Sequence, residues 1–296
     1  MSRVIFLIAV FAVTGIAGCA GPETRVLAIA DRIPGPGVII RDPDKLDAVA
    51  ALFGEEDLSE ANLRRYSDKT IALLYRSLRR TTFYLPEQER YIVLLRRLLA
   101  EHLRRGTQTD DDVKNMYKAY LGARMFESAG DLRKQFPGLA FPATPEIVAS
   151  SAMPEATRWR AYEISEGGGK AELTALPLGQ GAKIVVVMFP GCSVAERALT
   201  EVLGDAEFAD RFKANGLLVT ERFDSVGVAK WKSHFNFDAV YITSKASDFP
   251  GLDFRSSPQF YFLEDGKVVY HFEGWDTGKE FDTAALLRKG LKALRL

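Results

Sequence analysis

Two cysteines carry most of the chemistry open to this sequence. Cys192 follows the apolar run Lys183 to Phe189 and the turn Pro190-Gly191, and it opens an amphipathic segment, Ser193 to Leu203. A thiol at the first residue of a helix faces the positive end of the dipole, which lowers its pKa from about 8.5 and raises the thiolate fraction. Such a thiolate can attack a disulfide and form a mixed disulfide. The plainer alternative is a buried, inert cysteine, because free Cys is among the most buried residue types. Other chemistries are excluded by spacing. Two thiols cannot build a four-thiolate site, and His102, His234 and His271 lack metal-ligand spacing. There is no H-E-x-x-H motif and no serine nucleophile elbow. Gly167-Gly168-Gly169-Lys170 lacks the earlier glycine of a phosphate loop and has Ala171 where a hydroxyl would meet Mg²⁺, so it reads as a hairpin turn. Asp276-Thr277-Gly278 likewise reads as a turn before the last helix. Neither a cofactor nor a metal is expected.

The second cysteine, Cys19, has a different setting. Arg3 precedes the apolar run Val4 to Val13, and small residues lead through Gly18 to Cys19, the layout of an export signal. The run is too short for a comfortable permanent span, which takes about 20 apolar residues. Ile16-Ala17-Gly18-Cys19 resembles the lipobox of bacterial lipoproteins. The resemblance implies a signal peptide over 1–18, cleavage before Cys19 and a diacylglycerol on its sulfur, so that the partner of this end is the lipid bilayer. Ala20 stands where Asp is the usual inner-membrane retention signal in Gram-negative bacteria, which implies an outer-membrane lipoprotein facing the periplasm. Residues 19–44, with Pro22, Pro34, Gly35, Pro36, Gly37 and Pro43, read as a tether in which Val38-Ile39-Ile40 could form a short strand or docking segment.

A chain of 296 residues is long enough for about two domains. Its 39 basic and 39 acidic residues balance, which argues against a nucleic-acid partner, and 47% hydrophobic residues exclude wholesale disorder. Residues 45–136 carry helical periodicity. Ser59 is a plausible cap for a helix to about Arg80, with Leu63, Ile71, Leu74, Tyr75 and Leu78 on one face, and Pro86 fits the first turn of the next, whose face is Tyr91, Leu94, Leu95, Leu98 and His102. Asp110-Asp111-Asp112 suits the start of a third helix in a helical hairpin closed by Pro137. Residues 61–105 hold 11 Lys+Arg against 4 Asp+Glu. That surface either leans on anionic headgroups or an acidic partner, or is a set of solvated faces neutralised within the domain. Pro137, Pro142, Pro145 and Pro154 mark a linker over 137–155.

Beyond it the period changes. Strands are expected at 159–164, 172–176, 183–189 and 217–223, helices at 193–203, 205–215 and 226–235, then a hairpin around Asp265-Gly266 and a final helix at 282–294. The order of elements from residue 156 to 296, with Cys192 at the strand-to-helix turn and Ser257-Pro258 before a strand, resembles the thioredoxin superfamily, including the membrane-anchored thiol-disulfide reductases. The fold class expected is therefore α+β overall, an all-α N-terminal domain followed by an α/β thioredoxin-like domain. The resemblance implies that Cys192 is the active-site thiol, Pro258 the cis-proline beside it and Ser257 the residue facing a bound peptide. Two departures stand out. Ala195 occupies the place of the resolving cysteine, unless Cys192 itself takes that second place, and no acid lies within Ile184 to Phe189 where the family buries one. A two-cysteine cycle cannot run in this chain. Two functions stay open: a protein-binding or assembly module that receives a protein or peptide client by strand addition, or a monothiol oxidoreductase that needs an external resolving thiol.

Overall fold

The computed structural model describes residues 21–38, 40, 42–148, 157–275 and 282–296. The signal and lipobox residues, Cys19 among them, and the Asp276-Thr277-Gly278 turn lie outside these, as does Pro154. The described residues form a mixed α/β structure whose helices dominate the first half and whose eight strands make one sheet in the second.

The helical half comprises α1 (Pro22–Ala30), α2 (Pro43–Ala50), α3 (Glu60–Leu63), α4 (Asp68–Tyr84), α5 (Glu89–Arg105), α6 (Asp110–Gly122) and α7 (Phe126–Gln135). The expected faces are the buried ones: Ile71, Leu74, Tyr75 and Leu78 of α4 pack with Tyr91, Leu94, Leu95 and Leu98 of α5 and with Met116 and Tyr117 of α6. Each such side chain contributes roughly 1.5–3 kcal/mol on leaving water. α6 starts at the Asp triplet as expected, and Thr109 and Asp112 close a reciprocal capping box on it.

Three boundaries differ from expectation, each for a local reason. Ser59 caps only α3, because Ser67 caps a new helix, its hydroxyl accepting from the Thr70 amide. Pro86 precedes α5, which starts at Glu89. Much of the expected tether is folded: α1 places Pro22 at its first turn and buries Val26, Ile29 and Ala30 in the helical core, with α2 following at Pro43.

The second half contains β1 (Glu146–Val148), β2 (Arg160–Ile164), β3 (Lys170–Ala175), β4 (Ala182–Val187), α8 (Ser193–Gly204), α9 (Ala209–Asn215), β5 (Gly216–Thr220), α10 (Ser225–Phe235), β6 (Val240–Thr243), β7 (Gln259–Glu264), β8 (Lys267–Glu273) and α11 (Thr283–Ala293). The sheet order is β1-β3-β2-β6-β5-β4-β7-β8. The strands β4, β5 and β6 run parallel, β7 and β8 add antiparallel on one side, and the β2-β3 hairpin adds antiparallel to β6 on the other. Ile184 to Val187 are all buried because β4 is central and covered on both faces. On one face α11 packs so closely on β7 that a Cβ at Gly290 would lie 2.2 Å from the Phe262 ring. Two strands escaped the sequence reading. β1 lies within the expected linker and pairs parallel with β3, and β6 sits between β5 and β2.

The halves are joined by a polar clamp and an aromatic cluster. Arg124, in the left-handed region just after α6, donates through Nη1 to the carbonyls of Leu121 and Gly122. Its Nη2 donates across to Glu221 and Thr243, 2.7 Å each, at the carboxyl ends of β5 and β6. Beside it the Phe126 ring meets Phe223 at 4.8 Å and Tyr162 at 5.9 Å. On the same side, the Glu87 carboxylate of the α4-α5 connection accepts from the Ala246 amide.

Candidate thiol site

The 189–192 turn is the hub of the site. Gly191 takes φ +85°, a left-handed conformation that glycine adopts without a Cβ penalty, and this turns the chain from β4 into α8. Cys192 caps α8: its amide donates to the Phe189 carbonyl at 3.0 Å, and its own carbonyl accepts from the Glu196 amide at 2.9 Å. The thiol is only partly buried and turns to the Ser257 carbonyl, 3.7 Å away, a weak S–H contact. Ala195, one turn along, is fully buried. Ser257 closes the loop from the other side, its hydroxyl accepting from the Phe189 amide at 3.0 Å. The Ser257-Pro258 peptide bond is cis, and Pro258 is buried. The three residues singled out from the sequence, Cys192, Ser257 and Pro258, are thus brought together.

Arg222, just past β5, was missed. Its guanidinium carbon stands 4.0 Å from the Phe189 ring centre and 4.5 Å from that of Phe83, which comes from α4 in the helical half. Although the residue as a whole is exposed, partial desolvation of the guanidinium lowers its pKa, while Tyr84, Glu221 and the Cys192 sulfur pull it the other way. The adjacent Glu221 carboxyl is pushed up to about 7, chiefly by burial and then by Glu87, with Arg124 and Arg222 opposing. The sequence held one signal for this pair. Glu221-Arg222 ends a buried parallel strand, and open sheets bind ligands outside the carboxyl ends of such strands. Reading the strand through to Phe223 hid it. Ile184 to Phe189 carry no carboxylate, but the residue just after the neighbouring strand β5 is the partly buried Glu221.

The remaining candidates do not converge here. His102 is buried, its Nδ1 paired with the Thr107 hydroxyl at 2.8 Å and its ring edge-on to Tyr75. His234 faces Glu196 and His271 faces Gln259. Among the described residues no three His, Cys, Asp or Glu side chains are grouped to hold a metal ion. No helix among them is long and apolar enough to cross a membrane. In the basic stretch, Arg64 pairs with Glu60, Arg90 with Asp47, and Arg104 and Arg105 with the buried Glu101. Part of its charge is therefore neutralised within the helical half. A groove of about 760 Å³ beside α1 and α4 is lined by Leu27, Thr70, Tyr75, Arg76, His102 and Asp112 among others, and no residue of the thiol site lines it.

No family model matches the sequence, and no curated protein matches it. Two solved structures are similar. One is an uncharacterized conserved protein from Geobacillus kaustophilus, 16% identical, over 53% of this chain and 87% of its own, with a TM-score of 0.33. The other is a hypothetical protein from Sinorhizobium meliloti, 18% identical, over 49% of this chain and 86% of its own, also with a TM-score of 0.33. Both likenesses are distant and bear on neither the fold class nor the function.

Proposed function

We propose that the chain is a lipid-anchored protein of the bacterial cell envelope whose C-terminal half is a thioredoxin-like domain with a single-thiol site. In this reading the domain is a binding or assembly module for protein clients and not a catalyst of dithiol exchange. The observation that carries it is the Cys192 thiol, partly exposed at the cap of α8 and 3.7 Å from the Ser257 carbonyl, with Ala195 buried one turn in. That arrangement supports the register in which Cys192 takes the first, exposed position and Ala195 the second. The Ser257 backbone would receive an extended peptide by strand addition. The Cys192 thiolate would attack one sulfur of a client disulfide, forming the Cys192–client bond as the other client sulfur leaves as thiolate and takes a proton. Nothing at Ala195 can attack that bond, so release falls to the client's own freed thiol or to an external one. The anchor rests on Ile16-Ala17-Gly18-Cys19 alone.

Capture from a periplasmic extract tests this. Wild type should yield dithiothreitol-sensitive adducts that Cys192→Ser does not, and should not speed insulin reduction beyond dithiothreitol alone. Absence of adducts, or turnover of insulin by wild type, would overturn it. For the anchor, mass spectrometry should find an acylated Cys19 at the mature N-terminus, and any other N-terminus refutes it. The second reading, a monothiol oxidoreductase, is favoured by the partial exposure of Cys192. Glutathione-dependent turnover lost in Cys192→Ser would identify it.

A further inference from the structure

Arg222 is held without being used. Among the described residues its side chain makes neither an ion pair nor a hydrogen bond, and only its main chain bonds, the amide to the Thr220 hydroxyl and the carbonyl to the Asp224 amide. Three other arginines of the molecule are paired. Arg124 spends its donors on four carbonyls, Arg255 on Asp253, and Arg160 on Asp248. Arg222 is exposed and instead lies beside two rings, its guanidinium carbon 4.0 Å from the Phe189 centre and 4.5 Å from that of Phe83, so that cation–π contact rather than an ion pair holds it. Phe83 is 54% exposed, so its ring is open to a ligand that reaches the cation. Phe189 ties the pair to the thiol, because its carbonyl accepts from the Cys192 amide and its amide donates to Ser257.

We propose that Arg222, clamped by Phe189 and Phe83, is a docking residue of the Cys192 site that recognises an acidic side chain next to the reacting cysteine of a client peptide. A planar fork held in place and lacking a partner matches a carboxylate bidentately. The exposed Phe83 ring then covers the apolar part of the same peptide. Among the described residues the adjacent Glu221 makes no ion pair or hydrogen bond with the cation, and desolvation works against its charged form. The inference rests on the functional reading above, in that it concerns which clients the thiol takes.

The test compares two aromatic disulfides on the full chain, the dicarboxylated dithiobis-nitrobenzoate and the neutral dithiodipyridine. Rates are taken as the part lost in Cys192→Ser, and their ratio is normalised to that of a free cysteine. Wild type should prefer the anionic reagent by about tenfold, a preference that falls as salt rises. Arg222→Gln should return the ratio to the free-cysteine value, the neutral rate of the same variant correcting for any change in the thiol itself, Arg222→Lys should restore part of it, and Phe83→Ala should reduce it. Peptides bearing an activated disulfide beside Asp or beside Asn should follow the same order. A ratio unchanged by Arg222→Gln, or a wild type with no preference, would overturn the inference and leave the single-thiol reading standing. Inertness of Cys192 to both reagents would overturn the single-thiol reading, and this inference with it.

Discussion

Arg124→Met tests what holds the halves together, because methionine keeps the apolar stem and removes every side-chain donor, the two to Leu121 and Gly122 within the helical half included. The Nη2 of Arg124 makes two hydrogen bonds of 2.7 Å across to Glu221 and Thr243. Hydrogen bonds to a charged group are worth about 1.5–3 kcal/mol each, which puts the pair at about 3–6 kcal/mol before any offset. Two offsets reduce it. The buried guanidinium no longer has to be desolvated, and its Nε, which lacks an acceptor, is removed as well. A net loss of about 2–4 kcal/mol is expected, or roughly 5–15 °C in Tm if the chain unfolds as one unit. Urea unfolding gives two separable probes. All three tryptophans, Trp159, Trp231 and Trp275, belong to the sheet half, so fluorescence follows that half while far-ultraviolet circular dichroism also follows the helices. The two curves should coincide in wild type and part in the variant. A loss below about 0.5 kcal/mol with coincident curves would refute the clamp.

Three further outcomes are expected. Glu101 is held at about 2 by Arg104 and then Arg105, below its unfolded value of 4.5, so its contribution is present above pH 4.5 and lost as pH falls toward 2. Glu101→Gln should flatten that part of the stability curve measured by chemical unfolding, and a curve identical to wild type refutes the pairing. Glu221 has the opposite sign: raised from 4.5 to about 7, it favours the folded state below pH 4.5 and that advantage is lost as pH rises through 7. Glu221→Gln should therefore stabilise the protein at pH 8 by roughly 1–3 kcal/mol and leave it unchanged at pH 4, whereas equal midpoints at both pH values would refute the buried acid. Finally, Ala195→Cys should create dithiothreitol-driven insulin reduction. Failure to turn over although mass spectrometry finds the new disulfide would show that Cys192 does not serve as the attacking thiol.

How much of this was legible follows from how local each signal is. The β4-turn-α8 unit could be read because a six-residue apolar strand, Pro190-Gly191 and an amphipathic stretch are adjacent in sequence. The β7-β8 hairpin could be read because Asp265-Gly266 requires two positive φ angles, and both are present. β6 was invisible since its four residues are too few for a period and its pairing with β5 and β2 is made elsewhere in the chain. α1 was read as tether although Pro22 at its first turn is itself a start signal, because the later prolines and glycines dominated the composition. At the site, Cys192, Ser257 and Pro258 each carried a signal of residue type. Arg222 did not, since its meaning lies in two rings at positions 83 and 189 that only the fold assembles.

That assembly gives the helical half a role beyond packing. The carboxyl ends of β4, β5 and β6 lead into Cys192, into Glu221-Arg222 and into Ser244 to Ala246, the side of a parallel sheet where ligands bind. Among the described residues the helical half meets that side through Phe83 against Arg222, Arg124 on the ends of β5 and β6, Phe126 against Phe223, and Glu87 on Ala246. It therefore forms a wall of the thiol site. A chain begun at residue 157 would uncover Tyr162 and Phe223, which now pack on Phe126, and would leave Arg222 with Phe189 as its single ring. If Cys192 captures clients as proposed and Arg222 selects among them, that selectivity belongs to the two halves together, and Phe83→Ala, which never touches Cys192, should alter which clients are captured.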